Sequence, residues 1–138
     1  MCWKLLEEFA ASLERTSSPS QLKKTECVVG IDIDDMIFTT SRERIRKTLP
    51  CHVTFVEIRP LMYGRVCRIW NQLASFPKNE MIVLLGDDIV LKDKNWQGKV
   101  AVRFETVAEE SGLPLGAACV DLNDESFPGF PTFPVIHQ

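Results

Sequence analysis

Apolar positions along the chain follow two rhythms, and they alternate. Leu5, Leu6, Phe9, Ala10 and Leu13 recur at helical spacing with acids between them, which predicts a helix over residues 5–15. The cluster Thr-Ser-Ser-Pro-Ser at 16–20 ends it. Residues 81–85 are an unbroken apolar run, short and bounded by polar residues, as strands covered on both faces are, and residues 27–31 read as a second buried strand. Residues 52–58 predict another strand, with Val53, Phe55, Val56 and Ile58 apolar. Residues 41–49 predict a short helix capped by Ser41 and stopped by Pro50. Residues 65–76 predict a helix with the stripe Val66, Ile69, Trp70 and Leu73, and Asn71 beside it. A helix follows over 96–111, with strand character left open near 100–104, and then a strand over 117–122. Residues 123–134 carry three prolines and a glycine and are expected to be irregular. Phe127, Phe130 and Phe133 repeat there at every third position, either packed on the domain or forming an aromatic platform for a ligand such as a sugar. Helices alternating with strands imply an α/β fold with a largely parallel sheet.

The length of 138 residues suits one domain, and an apolar content of 45% is enough for a core. It divides into an N-terminal helix and loop (1–25), a core (26–122) and a segment rich in Pro and Phe (123–138). A net charge of −3 argues against nucleic acid as a partner. No apolar stretch approaches the roughly 18–20 residues that span a membrane. Glu7 and Glu8 interrupt what a signal peptide would keep apolar, so a soluble, cytoplasmic chain is the default expectation. The five cysteines are scattered, with no Cys-x-x-Cys pair, and are read as reduced thiols, mostly in the core, with no zinc site.

Candidate chemistry sits at two strand exits. Gly86 ends the run 81–85, and Asp87 and Asp88 follow at once. In open α/β sheets ligands bind beyond the carboxyl ends of strands. Adjacent carboxylates repel unless a cation or a shared proton relieves them, and oxygen ligands suit Mg²⁺ or Mn²⁺. The plain alternative is an acidic turn leaving a strand. Asp32 and Asp34, after residues 27–31, stand two apart and would share a face if the strand continued. Gly30 would let a backbone or a ligand approach closely. His52, alone at a strand start, reads as structural.

Three parts in order carry a resemblance: residues 28–35, the helix with Asn71, and Ile-Val-Leu-Leu-Gly-Asp-Asp at 82–88 with Trp96 shortly after. Together they resemble the GT-A glycosyltransferases, which transfer sugars from nucleotide-diphospho-sugars, over residues 26–136. The resemblance implies a three-layer Rossmann-like sandwich with a mostly parallel sheet and a donor-binding core at 26–122. It implies Mn²⁺ or Mg²⁺ at Asp88 with Asp87, and Asp32, Asp34 and Asp87 lining the nucleotide pocket. The acceptor is unknown. Asp124 and Glu125 stand where that family commonly carries its catalytic base; the residues themselves favour an Asx-type turn, with Asn123 and Asp124 capping backbone amides before the prolines. Gly86 replaces the first acid of a strict Asp-x-Asp. The family's opening strand and its acceptor-binding part are not visible, so a fragment is expected. As an alternative, Ile-Asp-Ile-Asp at 31–34 is similar to the nucleophile motif of haloacid-dehalogenase-like phosphatases. That resemblance makes Asp32 the nucleophile and Asp34 the general acid, with Met36 where Thr or Val is expected. A non-catalytic remnant of either enzyme is the third reading.

Overall fold

The computed structural model describes residues 3–86, 88–123, 125 and 131–137. The first expected helix is α1 (Trp3–Thr16), and its stripe Leu6, Ala10 and Leu13 is buried. Ser12 and Thr16 are buried beside that stripe. Their hydroxyls donate to the carbonyls of Phe9 (2.7 Å) and Ser12 (2.8 Å), so neither is left unpaired. The breaker cluster ends α1 and also starts α2 (Pro19–Lys24). Ser18 and Gln21 cap it reciprocally, each side chain accepting from the other's backbone N–H.

β1 (Glu26–Asp32) and β2 (His52–Ile58) pair in parallel, from Glu26 opposite His52 to Asp32 opposite Ile58. The crossover between them is α3 (Met36–Thr40) and α4 (Arg42–Thr48), a connection of the length that parallel pairing requires. Ser41 joins the two helices and makes no side-chain cap, contrary to expectation. Leu6 and Ala10 of α1 pack with Ile31, Phe38, Ile45, Leu49 and Val53 into one core. Trp3 stacks on Phe38 at 4.9 Å, and the Arg44 guanidinium lies 3.9 Å over the Trp3 ring. A 3-10 turn (Pro60–Met62) leads to α5 (Val66–Leu73). A Cβ at Gly30 would lie 3.3 Å from both Leu73 and Ile58, so the glycine lets α5 approach β1.

The remaining strands are β3 (Met81–Val83), β4 (Val120–Asn123) and β5 (Pro131–His137). They form an antiparallel sheet in the order β3-β5-β4. The chain is therefore mixed α/β, but among the described residues its strands divide into two sheets, and a three-layer Rossmann-like sandwich is not shown. β5 also overturns the expectation that residues 123–134 are irregular throughout. The Leu84 N–H donates to the Pro134 carbonyl at 3.2 Å. In an antiparallel ladder the reciprocal bond would come from the Pro134 nitrogen, which has no hydrogen. The proline is thus tolerated at the point where β3 stops, and β3 is shorter than the apolar run 81–85 for the same reason. α6 (Trp96–Ser111) covers this sheet, Val100 and Phe104 packing with Val120 and Val135. Gly112, at φ 67°, ends α6 in the left-handed region.

The described cysteines are less buried than expected: Cys27 and Cys51 are half-buried, and Cys67 and Cys119 are exposed. The Cys27 and Cys51 sulfurs lie 3.3 Å apart. Their hydrogen bond, with burial added, pushes the Cys27 thiol up, and the same hydrogen bond lowers Cys51. No helix among the described residues is long and apolar enough to cross a membrane.

Candidate functional site at the strand exits

Asp32 is the last residue of β1 and is exposed. The chain turns directly afterwards: the Asp35 N–H donates to the Asp32 carbonyl and the Met36 N–H to the Asp34 carbonyl, both at 3.0 Å. Asp34 therefore lies in a turn and not on the strand, and the face-sharing expected of Asp32 and Asp34 does not hold. The third acid, Asp35, caps α3 by accepting the Phe38 N–H at 3.1 Å. Its role is structural.

Asp34 gains a partner from the neighbouring loop. The Tyr63 hydroxyl, just past the 3-10 turn that follows β2, donates to Asp34 Oδ1. Parallel pairing places the two strand ends side by side, so the loops after β1 and β2 meet. Partial burial, then the hydrogen bond and charge of Asp34, with Asp32 adding less, push the Tyr63 phenol up to about 12. It stays protonated at neutral pH and holds the Asp34 carboxylate in place. The sequence reading did not single out Tyr63, although it is the chain's one tyrosine and sits in a loop after a strand.

The second exit follows β3. A Cβ built on Gly86 would lie 2.9 Å from Asp88 Oδ1, so the Asp88 side chain reaches back over Gly86, and the chain bends at Asp88. Asp88 is exposed. Asp87 lies outside the described residues, as does Asp124. Glu125 is described, and its carboxylate is ion-paired with Lys92. Both β3 and β4 run antiparallel to β5, so they leave the sheet at the same end. The Lys92–Glu125 pair ties the segment after β3 to the segment after β4 at that end.

Among the described residues, no hydrogen bond or ion pair joins the acids at the β1 exit to those at the β3 exit. Nor do three or more His, Cys, Asp or Glu side chains gather there in a group that could hold a metal. Mg²⁺ and Mn²⁺ are commonly held by one or two carboxylates, with phosphate oxygens and water completing the shell. An exposed Asp88 fits that mode, and a protein-only cage is not what these residues build.

Gly86→Ala tests this placement of Asp88. The added methyl meets the end of a flexible side chain, so stability should change by no more than about 0.5 kcal/mol. If Asp88 holds Mn²⁺, displacing its carboxylate should weaken the binding by about tenfold, a loss of about 1.4 kcal/mol. Unchanged Mn²⁺ affinity by calorimetry would mean that Asp88 does not bind from this position.

Compared with known protein families, with curated proteins and with solved structures, the chain matches none of them.

Proposed function

We propose that this chain is a metal-dependent glycosyltransferase-like domain, which binds a nucleotide-diphospho-sugar and delivers the sugar to an acceptor hydroxyl. The observation that supports it most is the exposed Asp88 carboxylate, which lies over Gly86 in the segment that follows β3. When bound, Mn²⁺ or Mg²⁺ would neutralise the leaving diphosphate as a Lewis acid. Asp88 would hold the ion, and Asp87 would supply a second carboxylate or meet the ribose. Asp32 and Asp34 line the nucleotide pocket, where Tyr63 orients Asp34 by hydrogen bond. Glu125 or Asp124 takes the acceptor proton during attack. Glu125 must first leave its pair with Lys92 to do so. The three-layer Rossmann-like, GT-A-like sandwich is part of the same proposal, and it requires the sheet of β1 to continue into the sheet of β3.

Hydrolysis of a generic phosphate ester separates this proposal from a haloacid-dehalogenase-like phosphatase. That chemistry passes through an aspartyl-phosphate on Asp32. The expected result is no turnover in the unmodified protein. Robust hydrolysis that Asp32→Asn abolishes would make Asp32 a nucleophile and overturn the transferase proposal.

A further inference from the structure

Cys27 and Cys51 are free thiols whose sulfurs lie 3.3 Å apart. Cys27 sits on β1 opposite Val53. Cys51 lies one residue ahead of β2, in the bend that follows α4. Side chains alternate across a strand, so Cys51, two residues before Val53, falls on the face that Val53 shares with Cys27. The ladder between β1 and β2 begins at Glu26 opposite His52, so Cys51 stands outside it. The sulfurs of a disulfide are about 2.05 Å apart, so closure needs an approach of about 1.3 Å. The bend can supply that movement without breaking a ladder hydrogen bond. Cys67 and Cys119 are more exposed, but among the described residues neither has a second cysteine within hydrogen-bond distance.

The two thiols are not equivalent. Their hydrogen bond, with burial added, pushes Cys27 up and holds it protonated. The same hydrogen bond lowers Cys51, against the opposing effect of burial. Cys51 is therefore the readier thiolate, and the thiolate is the nucleophile. Both residues are half-buried, so each keeps some contact with solvent.

We propose that Cys27 and Cys51 form a redox-active pair, which a hydroperoxide closes to a disulfide and a dithiol reopens. The Cys51 thiolate attacks one peroxide oxygen. The O–O bond breaks, hydroxide or alkoxide leaves, and Cys51 becomes a sulfenic acid. The Cys27 sulfur then attacks the Cys51 sulfur. The S–S bond forms, the S–O bond breaks, and the departing hydroxide takes the Cys27 proton as water. The two sulfurs give up two electrons between them, and the peroxide takes them up. A partner at 3.3 Å makes the second step intramolecular, and so faster than further oxidation of Cys51. The bond closes a loop over residues 27–51, which holds α3 and α4. It ties the crossover to the parallel pair and restricts the unfolded chain. The proposal depends on no part of the transferase reading.

The test treats the reduced full chain with hydrogen peroxide in slight excess and maps its peptides without reduction. The expected main product is a cross-link between the peptides that carry Cys27 and Cys51. The melting temperature should rise by about 10 °C and return with dithiothreitol. In Cys27→Ser the new hydroxyl keeps a donor beside Cys51 but cannot form the disulfide. Cys51 should then be trapped as a sulfenic acid by dimedone, and oxidation should not raise the melting temperature. Recovery of both residues as thiols, while Cys67 and Cys119 are oxidised, would reduce the contact to packing and overturn the proposal. A disulfide from either residue to another cysteine, in the same chain or in a second copy, would overturn it too. So would a cross-link that lowers the melting temperature, because it would have formed from an opened chain.

Discussion

Ile45→Ala should cost the protein about 2–5 kcal/mol of folding stability. Ile45 is 0% exposed and sits on α4, where the crossover helices close over the parallel pair. Its neighbours in the core come from α1 (Leu6, Ala10), α3 (Phe38) and both strands (Ile31, Val53). Truncation loses the transfer free energy of the removed methylenes and leaves a cavity that four neighbouring elements cannot all collapse to fill. Domains of this size are stable by about 5–15 kcal/mol, so the loss is a large share of the total. The melting temperature should fall by on the order of 10 °C or more. Ile45→Val removes one methyl group and should cost only about 0.5–1.5 kcal/mol. Urea unfolding of the three proteins would show the gradient. If the alanine variant unfolds with the unmodified chain, this core is not where the stability resides.

Asp88→Ala should abolish ligand-linked stabilisation while leaving the unliganded fold intact. The Asp88 side chain is exposed, so its loss should move stability by at most about 0.5 kcal/mol. A ligand at 100 times its Kd stabilises the folded state by about 2.7 kcal/mol through linkage. With Mn²⁺ and a nucleoside diphosphate present, the unmodified chain should therefore melt several degrees higher, and Asp88→Ala should not. Glu125→Gln serves as the contrast. That carboxylate is held by Lys92, and the proposal gives it the acceptor proton and no part in donor binding, so the variant should keep the ligand shift. An equal shift in Asp88→Ala would remove Asp88 from the site.

The local rhythms of the sequence located β2 and α6 with the bounds that the structure shows, His52–Ile58 and Trp96–Ser111. Amphipathic spacing and alternation are decided within a few residues, so these two elements were legible locally. What decided the sheets was not local. β3 reads as a buried parallel strand from its five apolar residues, yet its partner is β5, about fifty residues later and antiparallel. The prolines that argued against regular structure at 131 and 134 are breakers only where a donor is needed, and Pro134 meets β3 where the ladder ends.

The site divides in the same way. The apolar run before the acids was legible as a strand, because such a run is a local signal, although β3 stops at Val83, short of Gly86. Asp34 was misplaced because β1 ends at Asp32, where the backbone begins hydrogen bonding within its own turn. Its partner Tyr63 lies 29 residues away and reaches it only through the parallel pairing of β1 and β2.

The most direct test of the proposed function is a calorimetric titration of the unmodified chain with uridine, guanosine, cytidine and adenosine diphosphates, each with Mn²⁺ and again with a chelator. At least one diphosphate should bind saturably at a single site when Mn²⁺ is present and lose that binding when it is removed. Binding of none of the four, or binding that is unchanged by the chelator, would contradict a metal-dependent nucleotide-sugar site and leave the non-catalytic reading in its place.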